Sequence, residues 1–509
     1  MNSRARPGRQ EPLGQFLPGQ AATIVGWDLA SRQPQMSQTP HRQARRSETG
    51  ENGRGNELSR LVELESPRGR LFLGQPASTM LKRPRFCMIS IFYPPYSFGG
   101  DAVYLYRLVN SLAERGHEVD VVHCIDSYRV SGSKPQVQEF PHHPAVTLHG
   151  LKSRWGLLSP LLSQQTGRPL LKTEKLRAIL LSKKFDVIHF HNISLFGPGV
   201  LTLAPDYQDY VKIYTMHEHW LICPMHVLWK NNRRLCDEPT CFTCTLAFGR
   251  PPQWWRYTNL LPKSLESVDA FISPSRFTRD MHYHRGFSRP IEVIPHFVPE
   301  PSADSQPAEA AHPRPYFLFV GRLEKIKGLQ EVIPAFRGFA GADLLIAGGG
   351  NYEGELRGQA AGMQNVVFLG PVGQERLRAL YRNAIAVLVP SVCYEVFGLT
   401  IIEAFAQKTP AIVNALGALP DTVEESGGGL VYGSRSQLIE AMERLRTDPS
   451  LRQKLGEKGY QAYLMRWREG PHLESYFRLL ETVALKKFGS IPWKEGRSDM
   501  PGRGTSAQS

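Results

Sequence analysis

From Phe86 onward, short apolar or β-branched runs alternate with helical patterns, and this alternation limits the fold more than any other feature of the chain. Such alternation is typical of parallel sheets whose crossover helices cover both faces. The strand-like runs form two series, 86–92, 118–123, 186–191, 212–216, 270–273 and 291–294, then 316–320, 343–347, 365–369, 385–389, 411–413 and 430–432. We therefore predict an α/β protein with two doubly wound domains that face each other across a cleft, with ligand at the carboxyl ends of the strands.

Composition sets the boundaries of these domains. Residues 1–80 are rich in Arg, Gln, Gly, Pro and Ser and lack a sustained apolar period, which predicts a disordered tail. A misplaced start is the alternative, because Met80 leads directly into the first strand-like run. We expect one domain at 81–298, a linker rich in Pro, Ala and Ser at 299–315, a second domain at 316–470, a final helix at 471–489 and another disordered tail at 490–509.

The chain carries a formal charge of +14, from 61 basic and 47 acidic residues. This excess favours anionic partners such as nucleotides, phospholipid surfaces or nucleic acid, and charge alone does not choose among them. The sequence contains no apolar run of about 18 residues and no secretory signal pattern. The expected location is the cytoplasm, and peripheral contact with the inner face of the membrane stays open.

A phosphate-binding turn is predicted in the second domain, where the run 385–389 leads into a helix that begins near Gly398. The free N–H groups and positive dipole end of that helix suit a phosphate, and a glycine leaves room for it. Glu395 lies in the preceding loop and can accept hydrogen bonds from sugar hydroxyls. Glu403 lies about one turn inside the helix and can bind a vicinal diol such as that of a ribose. The alternative is that both residues are solvated surface glutamates, and the position of this segment after the end of a strand argues against that alternative.

Two cations follow the first strand of the second domain. Arg322 comes just after the run 316–320, and Lys327 precedes the next helix. They can neutralise a diphosphate and stabilise the charge that develops on it when a glycosidic bond breaks, although a charged surface turn is an equal alternative for this pair alone. The chain has no Asp-X-Asp sequence, the usual carboxylate site for a catalytic metal in nucleotide-sugar enzymes. We therefore expect catalysis to require no cofactor.

The first domain has a glycine pair and a histidine at comparable strand ends. Gly99 and Gly100 lie between the run 86–92 and an amphipathic helix, where a ligand can approach the backbone, although a glycine pair is also a good turn. His217 follows the run 212–216 and is expected at the cleft. His191 can line the acceptor side in the same way, whereas His189 is better explained as a hydrogen-bonded core residue.

Together, the glycine pair, Val320-Gly321-Arg322 with Lys327-Gly328, and the segment from Glu395 to Ala404 resemble the retaining glycosyltransferases of family 4. The resemblance spans residues 86–488. It implies a GT-B fold of two Rossmann-like domains, with an acceptor-side N-terminal domain, a nucleotide-sugar-binding C-terminal domain and a final helix that crosses back. It also implies a hexosyltransferase that retains the anomeric configuration without an essential catalytic metal.

The same resemblance implies a role for individual residues. Arg322 and Lys327 would hold the donor diphosphate, Glu395 the donor sugar and Glu403 the ribose, while His217 would lie beside the reacting sugar. The implied donor-binding set is Gly99, Gly100, Arg322, Lys327, Val372, Glu395, Phe397, Gly398, Leu399, Thr400 and Glu403, and the implied catalytic set is His217, Glu395, Arg322 and Lys327. Residues 417–421 depart from the family pattern, which leaves the donor sugar open.

Four of the seven cysteines fall in an irregular insertion at 217–250. They are Cys223, Cys236, Cys241 and Cys244. In a chain without an export pattern, thiols or metal ligands are a better explanation for such a group than disulfides. A structural zinc could order this segment, which lacks a core of its own, and four unrelated buried thiols are the alternative.

The segment after the second run combines basic residues with Trp155 and several leucines. It can dock on an anionic bilayer and reach a lipid-linked acceptor, or cover the domain as a solvated helix. We expect a glycan acceptor, such as a cell-envelope polysaccharide, or a lipid-linked acceptor, and we do not expect nucleic acid as a partner. Two other functions stay open: a nucleotide-sugar epimerase or hydrolase on the same fold, and a non-catalytic protein that binds nucleotide sugars or nucleic acid.

Overall fold

A computed structural model describes residues 83–97, 99–130, 140–204, 210–300 and 312–494. The predicted tail at 1–80 lies outside these residues, as do 301–311 of the predicted linker and 495–509 of the predicted second tail.

The first domain is built on a parallel sheet. In chain order its elements are β1 (Phe86–Ile89), α1 (Gly100–Glu114), β2 (Val119–Cys124), α2 (Ile125–Val130), β3 (Val146–Leu151), α3 (Leu158–Thr166), α4 (Thr173–Ser182), β4 (Val187–Phe190), β5 (Val211–Thr215), β6 (Trp229–Lys230), β7 (Arg234–Leu235), α5 (Cys241–Ala247), α6 (Leu260–Glu266), β8 (Ala270–Ser273), α7 (Arg276–His284) and β9 (Ile291–Val293). The sheet has the order β3-β2-β1-β4-β5-β8-β9, and β6 and β7 form a separate antiparallel hairpin. β1 is buried along its whole length because helices cover both faces of the sheet.

The second domain repeats this plan. Its elements are β10 (Tyr316–Val320), α8 (Leu329–Val332), β11 (Asp343–Ala347), α9 (Glu353–Gln359), β12 (Val366–Gly370), α10 (Gln374–Asn383), β13 (Ala386–Val389), α11 (Leu399–Phe405), β14 (Ala411–Asn414), α12 (Leu419–Ser426), β15 (Gly429–Tyr432), α13 (Arg435–Thr447), α14 (Pro449–Ala462) and α15 (Glu469–Phe488). The order of its parallel sheet is β12-β11-β10-β13-β14-β15. Apolar clusters lie on both faces of this sheet.

Each sheet reverses its strand order at one point, beside β1 in the first domain and beside β10 in the second. β1 pairs with β2 on one side and β4 on the other, and β10 pairs with β11 and β13. The loops after two such neighbouring strands leave in opposite directions, which opens a crevice at their carboxyl ends. The two crevices are therefore the places where the fold can bind ligand.

The chain passes twice between the domains, and the two passages touch. The backbone N–H of Val298 donates to the carbonyl of Trp467 at 2.9 Å, and the hydroxyl of Tyr463 donates to the carbonyl of Val298 at 3.1 Å. After the second passage, α15 packs its buried residues Leu473 and Tyr476 into the core of the first domain. The last helix in the sequence is thus part of the first domain's structure.

The predicted class of two doubly wound α/β domains is confirmed, with differences in detail. The edge strand β3 was not predicted, because most of its residues are exposed or half-buried and it lacks a continuous apolar run. The hairpin β6–β7 and helix α5 lie in the cysteine segment, where no regular structure was expected. Among the described residues, no helix combines the length and the apolar character that a membrane crossing requires.

Candidate active site

A cleft of about 2110 Å³ lies between the carboxyl edges of the two sheets. Loops from both domains line it, including those that follow β1, β5, β10 and β13. The predicted site residues that line it are Gly99, Gly100, His217, Arg322, Lys327, Val372, Glu395, Phe397, Gly398, Leu399, Thr400 and Glu403. The structure thus brings the whole predicted donor and catalytic set together, from stretches of sequence up to about 300 residues apart.

A partly buried ion pair between Lys327 and Glu395 lies in the second domain's crevice. Lys327 Nζ lies 2.6 Å from Glu395 Oε1, which also accepts a hydrogen bond from the Ser391 hydroxyl. Burial alone would lower the pKa of Lys327, but Glu395 outweighs burial and the pKa is raised. Burial would likewise raise the pKa of Glu395, but Lys327 and Ser391 outweigh it and the pKa is lowered. Both groups are therefore charged at neutral pH.

Gly328 explains how this pair forms. Its φ is +77°, and an added Cβ would lie 1.8 Å from the carbonyl oxygen of Pro390, at the end of β13. Only glycine fits this conformation and this contact. A 2.9 Å hydrogen bond from the backbone N–H of Val392 to the carbonyl of Ile326 also joins the two loops. The loop that carries Lys327 therefore lies against the loop that carries Glu395.

Arg322 supplies a second cation at the same edge. Its guanidinium Nη1 lies 2.6 Å from Glu324 Oε1, and its side chain is 42% exposed. This exposure exceeds that of Lys327, at 23%. Arg322 therefore presents its charge to the open part of the cleft, while Lys327 lies deeper.

The glycine turn of the first domain faces the helix start of the second. An added Cβ on Gly100 would lie 3.6 Å from Leu399 Cδ2, which is ordinary van der Waals contact across the cleft. At Gly398 an added Cβ would lie 2.5 Å from Ile401 Cδ1, so a side chain there would force Ile401 to shift. The sequence suggested that a glycine at this position leaves room for a phosphate, and the contact with Ile401 is a second reason for a glycine there.

Glu403 is held from two sides by residues that the sequence did not single out. Its Oε1 accepts from Arg107 Nη2 of the first domain at 2.7 Å, and its Oε2 accepts from the Tyr381 hydroxyl at 2.8 Å. Arg107 is on α1, seven residues beyond Gly100. A cation on the cleft side of that helix is the signal by which sequence reasoning could have found it. The bridge from Arg107 to Glu403 joins the two domains across the cleft.

His217 belongs to a buried cluster of histidines. Its Nε2 lies 2.8 Å from His191 Nδ1, and its Nδ1 lies 3.2 Å from His296 Nε2. Burial lowers the pKa of His217 to about 3, so the imidazole is neutral at physiological pH. His296 also lines the cleft and was missed, although it follows β9 as His217 follows β5. His189, as expected of a core residue, is buried between Tyr476 and Thr215, with hydrogen bonds of 3.0 and 2.8 Å.

Asp101 is a further cleft residue that the sequence did not indicate. Burial raises the pKa of its carboxyl group, and the nearby Glu218 adds to the rise. Its Oδ2 accepts from Asn192 Nδ2 at 3.4 Å. The first domain's wall of the cleft thus contains a carboxyl group whose pKa is raised.

None of the four clustered cysteines lines the cleft, although they pack next to Met225, which does. Cys223 and Cys244 pack with Met225 and Leu228 in a small apolar cluster, and Cys236 packs against it. Within the described ranges, no three His, Cys, Asp or Glu side chains are grouped so that they could hold a metal ion. The zinc site therefore stays a prediction from spacing, without a ligand arrangement to support it.

Two family models match adjoining parts of the chain. "Glycosyltransferase Family 4" matches residues 98–300, and "Glycosyl transferases group 1" matches residues 302–462. The chain belongs to the group 1 glycosyltransferases of family 4. The resemblance inferred from the motifs is therefore confirmed, and the protein is an enzyme.

Relatives and solved structures agree with this membership. An uncharacterized glycosyltransferase of Methanocaldococcus jannaschii is 26% identical over 390 residues, which cover 72% of this glycosyltransferase and 90% of the relative. Sucrose-phosphate synthase from Thermosynechococcus elongatus superposes with a TM-score of 0.58 at 23% identity, over 78% of this chain and 99% of that chain. Anabaena HepE, solved with UDP and glucose, superposes with a TM-score of 0.56 at 15% identity, over 78% and 100% of the two chains. These superpositions confirm the GT-B fold.

Proposed function

We propose that this glycosyltransferase moves a hexose from a nucleoside diphosphate sugar to a glycan or lipid-linked acceptor, with retention of the anomeric configuration and without a catalytic metal. The observation that carries the proposal is the partly buried ion pair of Lys327 and Glu395, which lies in one cleft with Arg322 and Glu403. HepE, which shares the fold, was solved with UDP and glucose, and this supports a donor of the same class.

The charges in the cleft match the parts of such a donor. Arg322 and Lys327 are cations at the carboxyl end of β10, where a diphosphate would meet both of them. As the bond between the sugar's anomeric carbon and the diphosphate oxygen breaks, negative charge develops on the diphosphate, and two fixed cations stabilise it. This is the charge that a bound metal ion supplies in other nucleotide-sugar enzymes, which is why we propose that none is needed here.

The two glutamates would bind opposite ends of the donor. Glu395, fixed by Lys327 and Ser391, keeps lone pairs that can accept from hydroxyls of the sugar. Glu403, fixed by Arg107 and Tyr381, can accept from the ribose hydroxyls. In the transfer itself, the acceptor hydroxyl oxygen bonds to the anomeric carbon on the face that the diphosphate leaves, and the hydroxyl proton passes to the diphosphate. This accounts for retention.

A thermal-shift panel of nucleotide sugars, followed by transfer assays, tests the proposal. A donor that binds the folded state raises the melting temperature by mass action. We expect stabilisation by at least one of UDP-glucose, UDP-galactose, ADP-glucose and GDP-mannose, and loss of sugar transfer in Glu395→Gln and Lys327→Ala. The exposed residues Glu474 and Lys454 give matched control variants, Glu474→Gln and Lys454→Ala.

One result would contradict the site assignment, and two would contradict the function. Full transfer activity in both Glu395→Gln and Lys327→Ala would remove these residues from the site. Turnover of the donor in the absence of any acceptor would instead support an epimerase or hydrolase. Binding of a nucleotide sugar without turnover under any condition would support a non-catalytic binding protein.

The surface around α3 favours a lipid-linked acceptor at an anionic bilayer. Large apolar side chains stand exposed over a short stretch of chain, namely Trp155, Leu157, Leu158, Leu161, Leu162, Leu170 and Leu171. Exposed basic residues flank them, namely Lys152, Arg154, Arg168, Lys175 and Arg177. Apolar and cationic side chains on one surface are what binding to an anionic membrane interface requires.

Two exposed aromatic residues extend this surface. Trp254 and Tyr257 are 60% and 62% exposed, and their neighbour Trp255 donates from Nε1 to the carbonyl of Gln164, on α3, at 2.8 Å. In contrast, Lys172 and Lys183 are withdrawn from it, since they pair with Asp126 at 3.1 Å and Asp120 at 2.8 Å. The exposed basic surface is thus smaller than the sequence suggested, because these two lysines do not contribute to it.

Vesicle sedimentation tests the membrane proposal. We expect the protein to sediment with vesicles that contain phosphatidylglycerol and not with phosphatidylcholine alone, and we expect the triple substitution Leu157→Ser, Leu158→Ser and Leu161→Ser to prevent sedimentation. Leu485, which is 50% exposed on α15, gives the matched control Leu485→Ser, which should sediment normally. An unmodified protein that stays in the supernatant with both vesicle types would eliminate docking.

A further inference from the structure

The segment 391–398, which carries Glu395, forms neither helix nor strand. Its conformation therefore depends on the groups that bond to its backbone. The carbonyl of Glu395 accepts from the backbone N–H of Ala418, in the same domain, at 3.1 Å. The carbonyl of the next residue, Val396, accepts from the first domain instead. Both domains thus hold the backbone at the residue that carries the carboxylate.

Two hydroxyl groups at the start of α7 bond the carbonyl of Val396. Ser275 Oγ lies 2.7 Å from this oxygen, and Thr278 Oγ1 lies 3.1 Å from it. Both hydroxyls donate, because a carbonyl oxygen only accepts, and its two lone pairs are enough for both. Ser275 is 9% exposed and Thr278 is fully buried, so solvent competes little for these bonds.

An aromatic contact lies on the other side of Glu395. The ring of Phe277, on α7, lies against the ring of Tyr394, with centroids 5.4 Å apart. Tyr394 and Val396 are the two chain neighbours of Glu395. The start of α7 therefore contacts the segment immediately before and immediately after the carboxylate-bearing residue.

The hydroxyl hydrogens of Ser275 and Thr278 are not used within α7. Ser275 is the N-cap of α7 and accepts from the backbone N–H of Thr278 at 3.1 Å, which occupies a lone pair of the hydroxyl and leaves its hydrogen. A threonine inside a helix commonly donates to a carbonyl three or four residues earlier, as Thr245 does in α5. Thr278 donates to the other domain instead.

We propose that Ser275 and Thr278 are positioning residues for the donor sugar, which fix Glu395 through the carbonyl of Val396. This inference rests on the proposed function, in which Glu395 accepts from the sugar hydroxyls. A carbonyl that loses its partners favours a shifted backbone, and a shift of about 1 Å in a positioned group can cost about 100-fold in rate. The first domain would thereby control how well the second domain binds the sugar.

The nucleotide part of the donor should depend little on these hydroxyls. Glu403, which would bind the ribose, is held by Arg107 and Tyr381. Ser275 and Thr278 do not line the cleft, so they would act on the sugar only through the segment that they hold. The inference therefore predicts a loss of affinity that is specific to the sugar.

Four substitutions separate the hydroxyls from the fold of α7. Thr278→Val removes one hydroxyl and nearly keeps the shape of the side chain. Ser275→Gly removes the other, and glycine is tolerated at an N-cap at a cost of only a few tenths of a kcal/mol. Thr278→Ser and Ser275→Thr keep a hydroxyl at each position, so they should rescue the loss.

Two control variants match these changes at sites away from the segment. Ser434 is the N-cap of α13 with φ −146° and ψ 160°, almost the same as the −147° and 160° of Ser275, which makes Ser434→Gly the control for Ser275→Gly. Thr245 is 3% exposed and its hydroxyl bonds within α5, which makes Thr245→Val the control for Thr278→Val. Neither control residue lines the cleft.

Calorimetric titration measures how much the sugar adds to nucleotide affinity. The probes are the member of UDP-glucose, UDP-galactose, ADP-glucose and GDP-mannose that raises the melting temperature most, and its free nucleoside diphosphate. We expect Thr278→Val and Ser275→Gly each to lower nucleotide-sugar affinity about fivefold, the effect of one hydrogen bond, and to leave nucleotide affinity within about twofold. The rescue and control variants should stay within about twofold for both probes.

The outcomes separate this inference from the function on which it rests. Unchanged nucleotide-sugar affinity in the double variant Thr278→Val, Ser275→Gly would overturn it, as would an equal loss for the free nucleotide or an equal loss in Thr278→Ser and Thr278→Val. Equal affinity of the unmodified protein for nucleotide and nucleotide sugar would also overturn it. If the unmodified protein bound none of the four nucleotide sugars and none of their nucleotides, the proposed function itself would fail. Retained nucleotide affinity and an unchanged melting temperature show that a variant is folded.

Discussion

Replacing Lys327 with methionine tests what the charge of this side chain contributes to stability and activity. The substitution keeps the length of the side chain and removes the charge that lies 2.6 Å from Glu395 Oε1. An exposed ion pair contributes about 0.2 to 1 kcal/mol, whereas removing one partner of a buried pair costs about 3 to 5 kcal/mol. The two side chains are 23% and 16% exposed, which lies between these cases. We therefore expect Lys327→Met to lower the free energy of unfolding by about 2 to 3 kcal/mol.

This loss should appear as a lower melting temperature. For a domain of about 150 to 250 residues, 1 kcal/mol corresponds to about 2 to 4 °C, so the expected decrease is about 4 to 12 °C. The double variant Lys327→Met, Glu395→Gln should be more stable than the sum of the two single losses predicts, because it leaves no unpaired charge. Sugar transfer by Lys327→Met should fall about 100- to 1000-fold, as expected when one donor to developing charge is lost.

The pH dependence gives an independent check of the cause. In the unmodified protein the lowered pKa of Glu395 contributes stability above its ordinary pKa of 4.5, and this is lost as the pH falls through the folded-state value. In Lys327→Met, burial is left as the main effect and raises the pKa of Glu395. The destabilisation should then be largest near neutral pH and shrink as the pH falls toward 5.

Melting curves at pH 5 and pH 7 measure this difference for Lys327→Met, the double variant and a control. Arg478 and Glu474 form a pair with side chains 68% and 72% exposed, so Arg478→Met should change the melting temperature little. Equal destabilisation of Lys327→Met at both pH values, or fully additive losses in the double variant, would refute the argument that a partly buried carboxylate has lost its countercharge.

Three further predictions follow from other parts of the structure. Burial lowers the pKa of the histidines of the central cluster, namely His189, His191, His217, His296 and His472. These histidines take up protons in the unfolded chain below about pH 6.5 but stay neutral in the folded protein. The free energy of unfolding should therefore fall as the pH drops from 6.5 to 5, by up to about 1.4 kcal/mol per pH unit for each histidine. Urea denaturation at several pH values measures this, and a free energy of unfolding that does not change with pH would contradict it. Gly398→Ala should lower the melting temperature because Ile401 must shift, at a cost of about 1 kcal/mol, whereas Gly358→Ala, in a helix with open space around it, should raise it slightly. Zinc analysis after purification without chelator should find one zinc per chain if the four clustered cysteines bind it, and a clearly lower content would contradict the zinc prediction.

Local patterns were sufficient for much of the fold. Buried strands of a parallel sheet are continuous apolar runs, so β1, β10 and their neighbours were recognisable, and the edge strand β3, which is largely exposed, was not. The turns after these strands carry the glycines and charged residues of the site. Because strand ends converge at one edge of a parallel sheet, their order along the chain was enough to expect them in one cleft.

The sequence by itself determined the two α/β domains, the cleft between them and the residues at the strand ends that line it, because strand, helix and turn preferences depend on a few neighbouring residues. Tertiary structure alone decided which partners those residues have. Arg107 reaches Glu403 from 296 positions away, and His296 reaches His217 from 79 positions away. No local pattern encodes such contacts, since they depend on how the two domains and α15 pack.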